Sequence, residues 1–403
     1  MLFNIYLTLP LVLSNIFLIR KKGDEMKIQS LFIAFILFIS FEVYSQPQFR
    51  NKINMPNILG YQTLKCDFHM HTVFSDGDVW PTYRVEEAWR DGLDAIAFTD
   101  HLEYQPHKDY VPSNHNASFQ IAKSFADELG ITLIQGSEIT RKMPPGHLNA
   151  IFIKDGNALI KDDWKAVVEE VKNQGGLIFW NHPSWIAQQP DGIAKWYPEH
   201  DWLLQTGIFF GLEVYNANVY SKETHQWCID KNLAILGNSD VHGPLYFEWA
   251  AEKVAHRPIT LVFAKDSKPE SIREALVNRR TVVWYDQQLI GDEKFLQAIF
   301  DSSVSINKKE IKTKGKDWTN FQITNNSDVE FELKLIDDNS YVQFPKELKL
   351  FPNKTLNIGI RAKKDDLAIK EKIEVQYEVK NLLVSPSKHL IKTFSFDFES
   401  LKK

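Results

Sequence analysis

Cysteine is nearly missing from this chain: 403 residues contain two, Cys66 and Cys228. One possible pair rules out a disulfide scaffold, so stability has to come from a packed core. Cys66 lies inside an apolar run, and two buried free thiols are the expected state. No long basic run occurs after residue 25, and the formal net charge is -5. Nucleic-acid binders concentrate Lys and Arg, so nucleic acid is not expected as the main partner. A small phosphorylated partner stays open, because a metal ion can neutralise phosphate charge. Internal repeats are also lacking. What is abundant is core material: 13% aromatic residues, including 11 Trp.

The first 45 residues do not read as fold material. Leu2 to Ile19 is apolar and ends in Arg20-Lys21-Lys22. A second start-like pattern follows, with Met26-Lys27-Ile28-Gln29-Ser30 as a basic lead and Leu31 to Phe41 as an apolar stretch. Val43 and Ser45 offer the smaller residues of a cleavage site, which places a mature start near Gln46. The expectation is an upstream extension (1–25), an initiator at Met26, and a cleaved signal peptide. The protein would then be secreted or periplasmic, touching membrane only through that segment. Two membrane spans are the alternative, but the second run is short and the first contains Pro10.

From residue 64 to about 285, short apolar runs alternate with helical patterns. Leu64–Phe68, Ala95–Thr99, Thr132–Gln135, Ala150–Ile153, Leu177–Trp180, Leu212–Tyr215, Ala234–Leu236 and Ile259–Phe263 read as strands. Thr82–Arg90, Ser118–Leu129, Asp162–Asn173, Ser221–Lys231 and Pro269–Asn278 read as helices. This alternation predicts an α/β fold with a parallel sheet, most simply a (β/α) barrel over 46–290. After about residue 290 the period changes to strict alternation, as in Phe331-Glu332-Leu333-Lys334-Leu335, with turns such as Asn325-Asn326-Ser327 between the runs. A small antiparallel β-sandwich is expected over 291–403, with a structural or interaction role.

The polar signals fall at the ends of the predicted strands. Cys66-Asp67-Phe68-His69-Met70-His71 ends the first run, and alternation puts His69 and His71 on one face. Ser75-Asp76-Gly77 follows. Phe98-Thr99-Asp100-His101 ends the second run, Gly136-Ser137-Glu138 the third, and Gly146-His147 lies beyond a loop. Asn181-His182-Pro183 and Asp240-Val241-His242 end two more. Six of the 12 His belong to this set. With Asp76, Glu138 and Asp240 they make nine candidate ligands, more than one ion accepts. The donor mixture suits zinc, manganese or iron, and two to three divalent ions fit the number. Asp100 reads as a carboxylate that orients His101 or caps the next segment. His107, His115, His200, His225, His256 and His389 read as surface or packing residues.

As a set these motifs resemble the polymerase and histidinol phosphatase (PHP) family, over roughly residues 64–285. The resemblance implies a distorted seven-stranded (β/α) barrel with a trinuclear metal site at the strand carboxyl ends. Carried over by motif, it implies that His69, His71, Glu138 and Asp240 hold one ion. His147 and His182 hold a second that shares Glu138, and Asp76, His101 and His242 hold a third. Ser-Asp-Gly around Asp76 resembles the stand-alone phosphoesterase branch. The activity implied is hydrolysis of a small phosphate ester, leaning to a phosphodiester, by a metal-bridging hydroxide held through Glu138 and Asp240.

Two other readings stay open: an amidohydrolase-like C–N or C–O hydrolase with the same metals, and a non-catalytic metal-stabilised binding protein. Arg141, close behind Glu138, is the candidate for a phosphate oxygen. Trp185, just after His182-Pro183, is a candidate wall of the pocket, with packing the favoured reading for it and for Trp180 and Trp196. Oligomeric state has no signal in the sequence.

Overall fold

The computed structural model describes residues 49–249, 256–337 and 339–403. The upstream extension, the signal peptide, its cleavage near Ser45 and the alternative membrane spans all lie outside the described residues. Among the described residues no helix is long and apolar enough to cross a membrane.

All eight runs read as barrel strands are strands. They are β1 (Gln62–Asp67), β2 (Ala95–Phe98), β3 (Thr132–Ile139), β4 (Leu148–Ile151), β5 (Leu177–Trp180), β6 (Phe209–Asn216), β8 (Ala234–Asn238) and β9 (Ile259–Ala264), with the short β7 (Val219–Tyr220) hairpinned onto β6. The ladder runs β9-β1-β2-β3-β4-β5-β6, and β8 pairs with the far side of β6. Polar bonds join β8 back to the β1 and β9 side. Asn238 Oδ1 accepts from the Phe68 N–H, and the Thr260 hydroxyl accepts from the Gly237 N–H. The expectation of a parallel sheet needs one correction. β4 is antiparallel to both its neighbours, and β9 is antiparallel to β1. An apolar run has no direction, so only the folded chain decides it.

Alternate residues of one strand serve two cores, as a strand buried on both faces requires. Ala95 and Ala97 pack with Leu64, Cys66, Phe179 and Val262. Ile96 and Phe98 pack with Val85 and Ala88 of α1 (Pro81–Arg90) and with Ala122 and Ala126 of α2 (Ala117–Leu129). Pro81 stands in the first turn of α1, where its missing N–H costs nothing. Gly130 in the left-handed region ends α2. Helices α3 (Trp164–Asn173), α4 (Pro198–Gln205), α5 (Lys222–Lys231), α6 (Leu245–Trp249) and α7 (Pro269–Val277) complete the αβ part. Cys66 and Cys228 are buried free thiols.

The C-terminal part is the expected sandwich, antiparallel except where Glu310–Lys314 pairs in parallel with the last strand. One sheet orders β12 (Val304–Ile306), β14 (Thr319–Asn325), β18 (Lys354–Ala362) and β16 (Val342–Gln343). The other holds β13 (Glu310–Lys314), β20 (Lys388–Leu401), β19 (Ile369–Ser385), β15 (Phe331–Leu335) and β17 (Glu347–Leu350). It is not a separate bead. The hairpin β10 (Thr281–Tyr285) and β11 (Gln288–Gly291) extends the sheet outward from β9, and β11 pairs in parallel with β19 through Leu289↔Leu382 and Ile290↔Leu383. Helix α8 (Glu293–Ser303) places Phe295, Leu296, Ile299 and Phe300 in one apolar cluster with residues of both parts.

Phe300 is buried, with its ring centroid 4.9 Å from that of Phe331. Phe300→Ala is therefore expected to lower stability by about 3–5 kcal/mol, from lost transfer free energy plus the cavity left behind. A shift of the urea unfolding midpoint measures it.

Candidate metal centre

The site grows from the chain just beyond β1. Met70 turns into the apolar core, and alternation sends His69 and His71 the other way, with ring centroids 5.2 Å apart. The backbone there is held from both sides. The Thr99 N–H donates to the Met70 carbonyl (3.0 Å), the His71 N–H to the Val241 carbonyl (3.0 Å) and the Asp240 N–H to the His69 carbonyl (2.9 Å). His101 follows β2, Glu138 lies near the end of β3, His182 follows β5, and Asp240 and His242 follow β8. His147 precedes β4, and because β4 runs antiparallel its first residue lies at the same rim. All nine side chains named from the sequence therefore meet at one end of the barrel.

They form one continuous cluster, whose close sets cross the three implied groups: His182 lies with His69 and Asp240, and His101 with both Glu138 and Asp76. His69 Nε2 lies 3.0 Å from Asp240 Oδ1 and 3.2 Å from both Glu138 Oε2 and His71 Nε2. His71 Nε2 lies 3.1 Å from Asp240 Oδ1 and 3.3 Å from Glu138 Oε2. The other Glu138 oxygen, Oε1, faces His147 Nδ1 at 2.7 Å and His182 Nε2 at 3.5 Å. Asp76 Oδ1 faces His242 Nε2 at 3.3 Å and His101 Nε2 at 3.5 Å. Glu138 thus presents Oε1 to His147 and His182, and Oε2 to His69, His71 and also His101, whose Nδ1 lies 3.2 Å away. His69, His71 and Glu138 are fully enclosed, Asp240 is part-buried, and the His242 side chain, 37% exposed, marks the open side.

The donor set fits cations. Glu213 Oε1 accepts from His69 Nδ1 at 2.8 Å, and the Asp240 carbonyl accepts from His242 Nδ1 at 2.8 Å. With those protons fixed, the Nε2 lone pairs of both rings point at carboxylate oxygens. Asp76 Oδ1 is buried without a hydrogen-bond donor. Lone pairs crowded this closely repel unless protons or metal ions lie among them. The titration behaviour agrees. Burial alone would raise Glu138 and Asp240, but the surrounding imidazoles hold both carboxyls well below the ordinary range. Burial would lower His69, yet Asp240, Glu213 and Glu138 together push it well up. For His71 burial wins, helped by His242 and His101, and the ring drops to about 4. Four sets of these side chains have ligand atoms close enough for an ion.

Several residues that hold this cup were not found from sequence. Glu213, in the ordinary-looking strand stretch Gly211-Leu212-Glu213-Val214-Tyr215, is fully enclosed. Besides His69, its carboxylate accepts from the Asn238 side chain (2.9 Å), the Asn216 side chain (2.9 Å) and the His182 N–H (2.7 Å). An acid between apolar neighbours was the only available signal. Arg84 is buried in α1 and donates to the carbonyls of His71 (3.1 Å), His242 (2.8 Å) and Gly243 (3.0 Å), tying two of the loops to one helix. His200, read as surface or packing, accepts from the Tyr197 N–H and donates from Nε2 to the Pro145 carbonyl at 2.8 Å, two residues before His147. Asp100 supports His71 and not His101, whose Nδ1 meets the Thr140 hydroxyl at 2.6 Å. The Asp100 carboxylate accepts from the Thr72 N–H (2.7 Å) and the Ser75 hydroxyl (2.9 Å), and Ser75 in turn meets His71 Nδ1 at 3.2 Å. Gly77 is required by close approach, since a Cβ there would lie 2.7 Å from the His71 and Thr72 backbone. Asp240 and His182 adopt positive φ, 54° and 29°, conformations that surrounding structure must impose.

Arg141 and the tryptophans sit differently from expectation. The Arg141 guanidinium is committed to Glu103 (2.9 Å) and the Lys161 carbonyl (2.6 Å). Trp180 is buried against His200 and Trp227, with Trp196 beside them, as packing residues should be. Trp185 departs from that reading: its ring is exposed and lies against His147 and His182.

Comparison with known proteins agrees with this site. Residues 67–238 match the PHP domain, and residues 304–395 match an Ig-like domain. A crystal structure from Bacteroides vulgatus, described as a two-domain protein containing a predicted PHP-like metal-dependent phosphoesterase, is 46% identical. The match covers 86% of this chain and 99% of that one, with a TM-score of 0.81. An uncharacterized protein of Methanocaldococcus jannaschii is 37% identical over 192 residues, 45% of this chain and 83% of its own length. Barrel and site together define a metal-dependent hydrolase. The chain belongs to the PHP family of metal-dependent phosphoesterases, in a two-domain form with an Ig-like module at its C-terminus.

Glu213→Ala is expected to weaken metal binding about 10- to 100-fold, because the His69 ring and the His182 backbone lose the same anchor. Competition with a chelator measures this. His200 offers a pH test. Burial lowers it to about 4, below its unfolded value. Its stabilising contribution is therefore complete above the unfolded pKa and is lost as pH falls towards 4. His200→Gln should reduce the slope of stability against pH in that window by up to about 1.4 kcal/mol per pH unit, measured by denaturant titration at several pH values.

Proposed function

We propose that this enzyme hydrolyses a small phosphodiester at the cluster formed by Glu138 and its neighbours. One observation carries the reading: the buried Glu138 carboxylate gives one oxygen to the His69 and His71 side and the other to the His147 and His182 side. Glu138 would be shared by two cations, with Asp240 completing the inner set, and Asp76, His101 and His242 would hold a third at the open side. Divalent ions bound there supply the acidity that makes hydroxide from water near neutral pH, together with positive charge at the phosphorus centre. Zinc, manganese and iron all suit this donor mixture, and two to three ions suit its size.

The chain's own residues prepare the site before substrate arrives. Glu213 and Ser75 orient the rings of His69 and His71. Arg84 and Asp100 fix the loops that carry them. Near-complete burial of Glu138 and His69 removes the water that would otherwise screen them. The diester preference is supported by Arg141, whose guanidinium is already paired with Glu103 and so is not held ready for a second phosphate charge. The amidohydrolase-like and purely binding readings have no comparable support in the site. Such a substrate also suits an extracytoplasmic enzyme, and the signal-peptide reading remains part of this proposal.

The test is hydrolysis of bis-p-nitrophenyl phosphate and p-nitrophenyl phosphate by protein of measured metal content, alongside a panel of amides and lactones. The diester should be the better substrate. Asp240→Asn and Glu138→Gln should each lower kcat by roughly a thousandfold or more, about 4 kcal/mol of transition-state stabilisation. Turnover of amides or lactones without phosphate esters would move the assignment to the C–N or C–O class.

A further inference from the structure

The exposed ring of Trp185 has no packing role that accounts for it. It is 44% exposed, and its ring centroid lies 5.5 Å from that of His147 and 5.1 Å from that of His182. The backbone beneath it is firmly held. The Trp185 N–H donates to the His182 carbonyl (2.9 Å), and the Trp185 carbonyl accepts from the N–H groups of Gln188 (2.9 Å) and Gln189 (2.8 Å). The ring is thus held on a fixed turn and left in solvent. Directly beside the reactive cluster, it forms a rigid platform whose face is available to a bound molecule.

A second ring repeats the arrangement. Tyr104 is 53% exposed and meets His101 edge-on, with centroids 6.0 Å apart. His101 and His147 lie 5.8 Å apart. Trp185, His147, His101 and Tyr104 thus form a continuous row of rings along one side of the cup, aromatic and exposed at both ends. The guanidinium in the intervening loop, that of Arg141, is neutralised by Glu103.

We infer that the enzyme selects a phosphate ester whose leaving alcohol carries a planar ring, and that Trp185 is the residue that selects it. This rests on the phosphoesterase reading above. The ring of the alcohol stacks on Trp185 while the phosphate meets the cluster, and Tyr104 borders the opposite end of the row. The contact forms in the ground state as well as in the transition state, so its loss raises KM more than it lowers kcat.

The experiment uses full-length, metal-loaded protein and two non-hydrolysable probes, phenylphosphonate and methylphosphonate, at a pH where both are dianions. Binding is followed by calorimetry, with metal content measured for each variant. Phenylphosphonate should bind roughly tenfold more tightly than methylphosphonate. Trp185→Ala should remove that difference while leaving methylphosphonate affinity and metal content unchanged, and Trp185→Phe should keep most of it. Equal binding of the two probes by the unmodified protein, or an unchanged difference in Trp185→Ala, would overturn the inference while leaving the phosphoesterase reading intact. Loss of metal in both Trp185→Ala and Trp185→Phe would make the ring a wall of the metal site and overturn it as well. Failure of both probes to bind the unmodified protein would count against the phosphoesterase reading, and the inference would fall with it.

Discussion

The enclosed carboxylate of Glu138 is the constraint on which the rest of this structure depends. Five imidazoles stand within about 3.5 Å of its two oxygens, and no water reaches it. Removing such a group from water is costly unless opposite charge replaces the lost hydration. The imidazoles do so when protonated, and divalent ions do so when the rings offer lone pairs instead. Metal binding and proton release are therefore two sides of one equilibrium at this site.

Much of the barrel can be understood as support for that arrangement. Many of the buried polar groups here hold more than one partner. The Asp67 carboxylate accepts from Ser239 and lies against Arg257, which also reaches Asp91. Glu213 holds a ring, a backbone amide and two side-chain amides. Arg84 holds three carbonyls. Such networks rigidify because moving one member leaves others unsatisfied in a low-dielectric interior. The positive φ of Asp240 and His182 is sustained by the same surroundings.

The sandwich is coupled to this barrel by continuity of sheet as well as by apolar contact. β9, β10, β11 and β19 pass hydrogen bonding from one part to the other, and α8 fills the angle between them. The nine converging side chains all lie in the barrel. The open side of the cup, where His242 is part exposed and Trp185 and Tyr104 stand in solvent, is where chemistry and recognition meet.

How much of this was legible follows from the range of each signal. His69-Met70-His71 declares a shared face because strand alternation is local, and His101, Glu138, His182, Asp240 and His242 fall at or just beyond the ends of apolar runs visible in the sequence, whereas Asp76 and His147 lie in loops. Grouping them by ion came from motif resemblance. Glu213, Arg84 and His200 stayed hidden because their neighbours look like an ordinary strand or helix. A polar residue shows its importance only when distant segments bury it. Trp185 was misread as packing for the same reason, since burial is a property of contacts and not of residue type. Thus the chain's local patterns determined the α/β barrel, the following sandwich and the nine reactive side chains. Tertiary structure alone decided the antiparallel direction of β4 and β9, the support around Glu138 and the exposure of Trp185, because each depends on contacts between residues far apart in the chain.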